Sequence, residues 1–233
     1  MKIITRTVAI NNLKKYISSN LRELALKYKI TTYETGKQNK GWKGLILERL
    51  AGLETNISKA PNGLSWELKS VSFYEVKSKL TPKETMAITM INPKELKETE
   101  FFNSHCWSKL KAIIFCAVKW NGKNSDDGQL IKVASLDFSE DDELIKEIKA
   151  DYDFIRAKLI KKGFSALTGK DGKWIQARTK GTGGINPRTG ERRPITRAFY
   201  ARKEFVKKIF ELAKARIKNN KISPSFLWPL KYR

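Results

Sequence analysis

Apolar residues recur along this chain at two spacings, which divide it into helical and extended segments. Residues 10–28 and 41–53 carry apolar side chains mostly three and four positions apart, which predicts two amphipathic helices. The same spacing predicts helices over 139–162 and 203–218. Acidic residues at the start of 139–162 interact favourably with the positive end of a helix dipole, which supports a helix N-terminus there. Runs of strand-forming residues predict extended segments over 64–73, 85–91, 111–120, 130–136 and 174–176.

These elements predict the class of fold. The run at 111–120 is apolar enough for a strand in the middle of a sheet, and predicted helices lie before and after the group of strands. We therefore expect an α/β fold with a mixed central sheet flanked by helices. Residues 180–196 are rich in Gly, Pro and Arg, which predicts a long loop of the kind that often carries function.

The charge of the chain points to a polyanionic partner. There are 47 Lys and Arg against 24 Asp and Glu, giving a net charge of +23 and a pI of about 10.0. A membrane surface would suit this charge equally, but no stretch approaches the roughly 20 apolar residues of a membrane span. The N-terminus also lacks a signal-peptide core. We expect a soluble, cytoplasmic protein.

Few residues are available for histidine or thiol chemistry. His105 is the single histidine, which excludes sites that need two. Cys106 and Cys116 are not at a metal-ligand spacing, and such thiols are commonly small core residues, so we expect no structural zinc or disulfide. Any catalysis must therefore depend on carboxylates, which favours a metal-dependent mechanism assisted by lysine.

Glu67 and Lys69 are two residues apart in a predicted strand, so both side chains lie on the same face. A carboxylate beside an ammonium suits metal-assisted hydrolysis of a phosphodiester: the acid holds Mg²⁺, and the lysine orients water and neutralises developing charge. A solvated surface charge pair is the alternative.

Several blocks, in this order, resemble the MutH family of mismatch-repair nicking endonucleases and related GATC-cutting restriction enzymes. The blocks are KGWKGLILE at 40–48, WELK at 66–69, KETMAI at 83–88, SHCWSKLK at 104–111, GKWIQARTK at 172–180 and RAFY at 197–200. The resemblance covers most of residues 40–210. It implies a restriction-endonuclease-like PD-(D/E)XK core in one endonuclease domain over 1–233. Within that domain we expect a helical segment (1–39), a catalytic core (40–136) and a DNA-contacting part (137–233).

The resemblance also implies roles for individual residues. Glu67 corresponds to a metal-binding acid and Lys69 to the catalytic lysine. Glu48, on a helix, would bind a second ion or a metal-bound water, and Lys109 would add positive charge at the phosphate. From the residues alone, a surface acid is the alternative for Glu48, and a solvated lysine is the alternative for Lys109.

Asn62 departs from the family pattern, which places a metal-binding aspartate before the Glu-x-Lys. An amide is a neutral oxygen donor, so an asparagine should weaken Mg²⁺ binding and slow or abolish cleavage. We hypothesise an engineered replacement that inactivates the enzyme. A natural asparagine, or an Asn-Gly turn with another acid as ligand, are the alternatives.

The resemblance places the DNA contacts near the C-terminus. Arg178 and Lys180 lie where the family reads bases or grips phosphates, in the block that also contains Gln176. Tyr200 would donate to a base edge or phosphate, with a half-buried core tyrosine as the alternative. The predicted loop adds further phosphate contacts: Arg188, Arg192 and Arg193.

We expect a Mg²⁺-dependent type II restriction enzyme that cuts double-stranded DNA at GATC or a related short site. A companion methyltransferase would belong to the same system, and the sequence leaves the oligomeric state open. A mismatch-repair enzyme that nicks one strand is the second hypothesis. A DNA-binding module without catalysis, in which Asn62 is natural, is the third.

Overall fold

The computed structural model describes residues 4–31, 33–34, 37–39, 41–53, 65–120, 122, 128–180, 184–185, 189–191 and 195–219. Seven α-helices are assigned in these residues: α1 (Arg6–Lys14), α2 (Leu21–Lys27), α3 (Trp42–Ala51), α4 (Pro93–Glu98), α5 (His105–Leu110), α6 (Glu143–Lys162) and α7 (Lys203–Asn219). Short 3₁₀ turns cover Phe101–Asn103 and Phe164–Ala166. No helix of this described part is long and apolar enough to cross a bilayer.

The helix predicted over 10–28 is wrong as one element, because the chain forms two helices there. Ser18, between α1 and α2, has a positive φ of 72°, which an α-helix does not accommodate. Asn20 then caps α2 by accepting a hydrogen bond from the Arg22 amide. The helices predicted over 41–53, 139–162 and 203–218 are confirmed as α3, α6 and α7, with α6 beginning a few residues later than predicted.

The main sheet contains four strands: β3 (Glu67–Val76), β4 (Lys79–Pro82), β6 (Ala112–Trp120) and β7 (Gly128–Asp137). Their order is β4-β3-β6-β7, with β3 and β6 parallel and the other two pairs antiparallel. The predicted mixed sheet flanked by helices is therefore confirmed. The apolar run at 111–120 forms an interior strand, as its composition predicted.

A second sheet has the order β5-β9-β8 and is antiparallel throughout. Its strands are β5 (Met86–Met90), β8 (Ile175–Lys180) and β9 (Thr196–Ala201). A separate pair, β1 (Tyr33–Glu34) and β2 (Lys37–Gln38), is also antiparallel. The strand predicted at 174–176 is thus the beginning of a longer one, and the predicted loop at 180–196 connects β8 to β9.

Apolar side chains bury both faces of the main sheet. On one face, α1, α2 and α3 pack through residues such as Trp42 and Ile46 against Leu68, Ile114 and Val118. On the other face, Phe73, Phe115 and Leu136 pack with α5, α6, α7 and the inner residues of the second sheet. Successive side chains of β3 therefore alternate between two cores. Glu67 and Lys69 lie on the same face of β3 as Phe73. This face is directed toward the second sheet.

Asp151, on α6, fixes the turn that begins β8. Its buried carboxylate accepts hydrogen bonds from the amides of Lys173, Trp174 and Ile175 at 2.6 to 2.9 Å. Gly172 makes this approach feasible, because it has a φ of +80° and a Cβ there would lie 2.1 Å from the Ile175 carbonyl oxygen. The start of β8 thus depends on one buried acid and one glycine.

A second acid in the same region, Asp171, has a lowered pKa. Burial alone would raise it, but the Lys158 ammonium at 2.6 Å and the Thr168 amide at 2.7 Å outweigh burial, so the pKa of Asp171 falls below its ordinary 3.8. Because the folded pKa lies below the unfolded one, ionised Asp171 stabilises the fold above pH 3.8, and this contribution is lost as pH falls through the folded pKa.

Replacing Asp171 with Asn should therefore change the pH dependence of stability. The unfolding free energy of the unsubstituted chain should exceed that of Asp171→Asn by a constant amount from neutral pH to about pH 5. The excess should shrink below pH 3.8, the ordinary pKa. Urea unfolding over a pH series measures both values, and an excess that stays constant down to about pH 2 would contradict the assignment.

Candidate active site

Three charged side chains meet where the main sheet approaches the second sheet. The Lys69 Nζ lies 3.0 Å from Glu67 Oε1, and the Lys109 Nζ lies 3.2 and 3.1 Å from the two carboxylate oxygens of Glu67. The side chain of Glu67 is 7% exposed, and those of Lys69 and Lys109 are each 13% exposed. Two ammonium groups therefore share one nearly buried carboxylate. We call these three residues the charge cluster.

Secondary structure explains how the charge cluster forms. Glu67 is the first residue of β3, and Lys69 follows two positions later on the same face. Lys109 lies in the last turn of α5, a helix capped by the Ser104 hydroxyl, which accepts from the Trp107 amide at 3.2 Å. The sequence separates Glu67 and Lys109 by 42 positions, and α5 brings them into contact.

Lys69 also contacts the second sheet. Its ammonium donates to the carbonyl oxygen of Ile88 at 3.1 Å. Ile88 is the point where the pairing of β5 with β9 shifts register: Ala87 pairs with Tyr200, and Thr89 pairs with Phe199. Such a bulge leaves one residue out of regular pairing. Lys69 therefore connects the charge cluster to an irregular point in the second sheet.

The pKa of Lys69 lies below its ordinary value. Burial lowers its pKa below the ordinary 10.5, Glu67 opposes the shift, and the charges of Lys109 and Lys180 add to it. Among the influences on this pKa, the charge of Lys180 at the end of β8 is the smallest.

The structure locates the remaining predicted catalytic residues less completely. Glu48 lies half-buried near the end of α3, which packs on the opposite face of the main sheet from Glu67 and Lys69. Asn62 lies outside the described residues. Within the described ranges, no three His, Cys, Asp or Glu side chains are grouped as a metal site. The roles of Glu48 and Asn62 stay predictions.

The predicted DNA contacts on β8 share one face of the second sheet but differ in burial. Arg178 and Lys180 are exposed, whereas Gln176 is buried at 5% exposure. Tyr200, half-buried, pairs directly with Gln176 across the sheet and lies beneath Arg178, whose guanidinium carbon is 5.3 Å from the ring centroid. Arg178 and Lys180 therefore offer solvent-facing charge, and Gln176 has little surface to offer a ligand.

The three loop arginines, Arg188, Arg192 and Arg193, lie outside the described residues, so their predicted contacts with phosphate stay predictions. By contrast, Arg197, the first residue of the RAFY block, has a structural role that the sequence did not reveal. It is buried and donates to the carbonyls of Phe164 and Ser165 at 3.1 Å. The basic residues of this region therefore divide into exposed and structural groups.

Sequence reasoning also missed two acceptors beside the candidate site. The Thr85 hydroxyl accepts a hydrogen bond from Arg178 Nη1 at 2.9 Å, and the Ile88 carbonyl accepts from Lys69. Thr85 lies in the KETMAI block, but its spacing gives no sign of an arginine partner 93 positions away. A backbone carbonyl leaves no signal in the sequence at all.

Comparison with known proteins identifies the segment that holds the charge cluster. Residues 54–151 match the family model of the DNA mismatch repair enzyme MutH. This segment is MutH-like. The match confirms the resemblance over less than half of the chain, and it includes Asn62, Glu67, Lys69 and Lys109 but neither Glu48 nor β8 and β9.

No individual curated protein matches the chain. Among solved structures, the restriction endonuclease MvaI in a complex with its cognate DNA substrate is similar with a TM-score of 0.37 at 11% identity, over 88% of this chain and 96% of that chain.

Proposed function

We propose that this chain is a site-specific double-stranded DNA endonuclease that hydrolyses a phosphodiester with the help of Mg²⁺. Its action would be that of a type II restriction enzyme at GATC or a related short site. The observation that carries the proposal is the charge cluster, a nearly buried acid held by two lysines within the MutH-like segment. The net charge of +23 supports a nucleic acid as the substrate.

The charge cluster is suited to the transfer of a phosphoryl group. Negative charge builds up on the phosphate oxygens as water attacks phosphorus, and two ammonium groups in a water-poor site stabilise it. Lys69 is the group that would hold the attacking water, because its ammonium lies 3.0 Å from Glu67 and 3.1 Å from the Ile88 carbonyl and is therefore fixed in position. Lys109 would contact the phosphate that is cut.

The residues present fit a magnesium ion that shares its coordination with water and phosphate. Mg²⁺ is commonly bound by one or two carboxylates together with substrate phosphates and waters, and Glu67 supplies one carboxylate. Its oxygens accept hydrogen bonds from Lys69 and Lys109, so a bound ion would take the place of at least one of these lysine contacts. Glu67 and position 62 would hold the ion. Glu48, on the helix packed against the opposite face of the main sheet, would have to reach past the start of β3 to be a further donor. When bound, the ion would polarise the phosphate and lower the pKa of its water.

On the DNA side, Arg178 would read a base edge, because its planar fork matches the N7 and O6 acceptors of guanine. Lys180 and Tyr200 would contact the backbone or a neighbouring base, and the loop arginines would hold phosphates. Gln176, although buried, shares the face of β8 with these residues and would support Tyr200 from beneath the surface.

A mismatch-repair enzyme that nicks one strand is the second candidate, favoured by the description of the matched family. A binding module without catalysis is the third, favoured by the amide at position 62. Purified protein that makes double-strand breaks in plasmid DNA supports the first candidate, and nicks that depend on a protein partner support the second.

Replacing Asn62 with Asp should raise the rate of DNA cleavage, because an anionic ligand binds Mg²⁺ more tightly than a neutral amide oxygen. We expect a gain of at least about tenfold in the single-turnover rate at subsaturating Mg²⁺. Plasmid DNA incubated with Mg²⁺ and either chain gives the rate from gels, and sequencing the ends gives the recognition site and stagger.

Two controls complete the experiment. Addition of EDTA should stop cleavage by both chains. Equal rates for the two chains would argue that position 62 is not a ligand, and no cleavage by either chain at any Mg²⁺ concentration would support the binding module.

A further inference from the structure

The strand β5 touches both halves of the candidate site. Thr85, the residue before β5, accepts the hydrogen bond from Arg178, and Ile88 within β5 accepts the one from Lys69. The two acceptors are three positions apart. One short segment therefore holds an arginine on the exposed face of the second sheet and a lysine of the charge cluster.

The geometry around Arg178 restrains this side chain on two sides. The guanidinium lies over the ring of Tyr200 at 5.3 Å, and its Nη1 donates to the Thr85 hydroxyl at 2.9 Å. Tyr200 alone would let the guanidinium plane rotate above the ring. The hydrogen bond from Nη1 to Thr85 restrains this rotation. The remaining N–H groups of the guanidinium therefore keep a defined direction.

We propose that Thr85 is a positioning residue that fixes Arg178 for reading a base and so determines sequence specificity. The inference rests on the proposed function, because it needs Arg178 to contact DNA. A guanidinium fixed before binding loses less side-chain entropy when it forms two hydrogen bonds to guanine. It also rejects other bases more strongly, since a mobile arginine could turn toward a phosphate instead.

The test compares Thr85→Val with Thr85→Ser. Valine has nearly the shape of threonine but cannot accept a hydrogen bond, whereas serine keeps the hydroxyl. Each chain is mixed with a pool of DNA duplexes whose centre is randomised, and bound duplexes are sequenced. The affinity for the most enriched duplex is then measured against that for the starting pool, without Mg²⁺ so that DNA stays intact.

Thr85→Val should lower the ratio of specific to nonspecific affinity by about tenfold, because one arginine–guanine pair is worth about 1 to 3 kcal/mol of discrimination. Affinity for the starting pool should hold, since it depends on phosphate contacts. Thr85→Ser should keep the ratio of the unsubstituted chain. Thr81→Val on β4, the same substitution outside this contact, is the control and should also keep it.

A double variant separates positioning from a general effect on structure. In an Arg178→Ala background, Thr85→Val should produce no further loss of specificity, because the residue it positions is absent. Unchanged specificity in Thr85→Val, or an equal loss in Thr85→Ser, would overturn the inference while leaving the proposed function intact. If the unsubstituted chain enriches no duplex, both the inference and the proposed function would be overturned.

Discussion

Replacing Glu67 with Gln should reduce DNA cleavage by about 10³-fold, the largest effect expected of any substitution in this chain. The change removes the buried carboxylate and, with it, the proposed anionic ligand of the metal. The reference is the Asn62→Asp chain, in which cleavage is expected to be fastest. Single-turnover cleavage of plasmid DNA at saturating protein measures the effect without a contribution from binding.

DNA affinity should hold or rise in the same variant. The variant loses one negative charge beside two lysines, which favours phosphate binding. Glu67 is also the group that raises the pKa of Lys69 against burial, so its removal offsets part of this gain. Binding to a duplex without Mg²⁺ measures this, and thermal unfolding checks that the protein still folds without the counter-charge. Glu67→Asp keeps the charge but withdraws the carboxylate by one methylene, so it should fold normally and still cleave about 10²-fold more slowly.

Glu75→Gln provides the matched control. Glu75 lies on the same strand, is exposed, and pairs with Lys119 at 2.8 Å. Its substitution should change cleavage by less than about twofold, because an exposed ion pair contributes little. Equal effects at Glu67 and Glu75 would contradict the assignment of the charge cluster as the active site.

Replacing Asp151 with Asn should lower the free energy of unfolding by about 3 kcal/mol, the largest loss of stability we predict. The buried carboxylate accepts three backbone hydrogen bonds, and a neutral amide both weakens these and presents N–H groups to N–H groups. Urea unfolding at neutral pH measures the loss.

Asp153→Asn on the same helix is the control for Asp151→Asn. Asp153 is 42% exposed and pairs with Lys149 one helical turn away, so its replacement should cost less than about 0.5 kcal/mol. Similar losses in the two variants would contradict the role of Asp151 at the start of β8. Because β8 carries Arg178 and Lys180, Asp151→Asn should also weaken sequence-specific DNA binding.

The sequence predicted the elements whose local pattern agrees with their final environment. The apolar run at 111–120 forms an interior strand, and the repeats in α3, α6 and α7 are faces buried against the sheets. The break between α1 and α2 could not be predicted from spacing, because apolar residues continue through it at nearly helical intervals. Ser18 has a positive φ and donates its amide to the Leu130 carbonyl on β7 at 2.7 Å, a distant contact that local spacing does not reveal.

In the candidate site, too, some contacts could be predicted from the sequence and others could not. Glu67 and Lys69 could be paired from their spacing on one strand, whereas contact of Lys109 with Glu67 depends on where α5 lies. The burial of Gln176 could not be inferred, since its neighbours on the same face, Arg178 and Lys180, are exposed. Thr85 and the Ile88 carbonyl required coordinates, because a backbone bulge and a distant acceptor leave no local pattern.

The most direct measurement of the central claim is a crystal structure of this chain with a cognate DNA duplex and Ca²⁺, a hard cation that takes oxygen ligands as Mg²⁺ does. The proposed active site predicts the ion at a Glu67 carboxylate oxygen, at about 2.3 to 2.6 Å. It also predicts the phosphate to be cut within hydrogen-bond distance of Lys69 or Lys109. An ion and a phosphate bound away from these three residues, with Glu67 still held only by its two lysines, would contradict it.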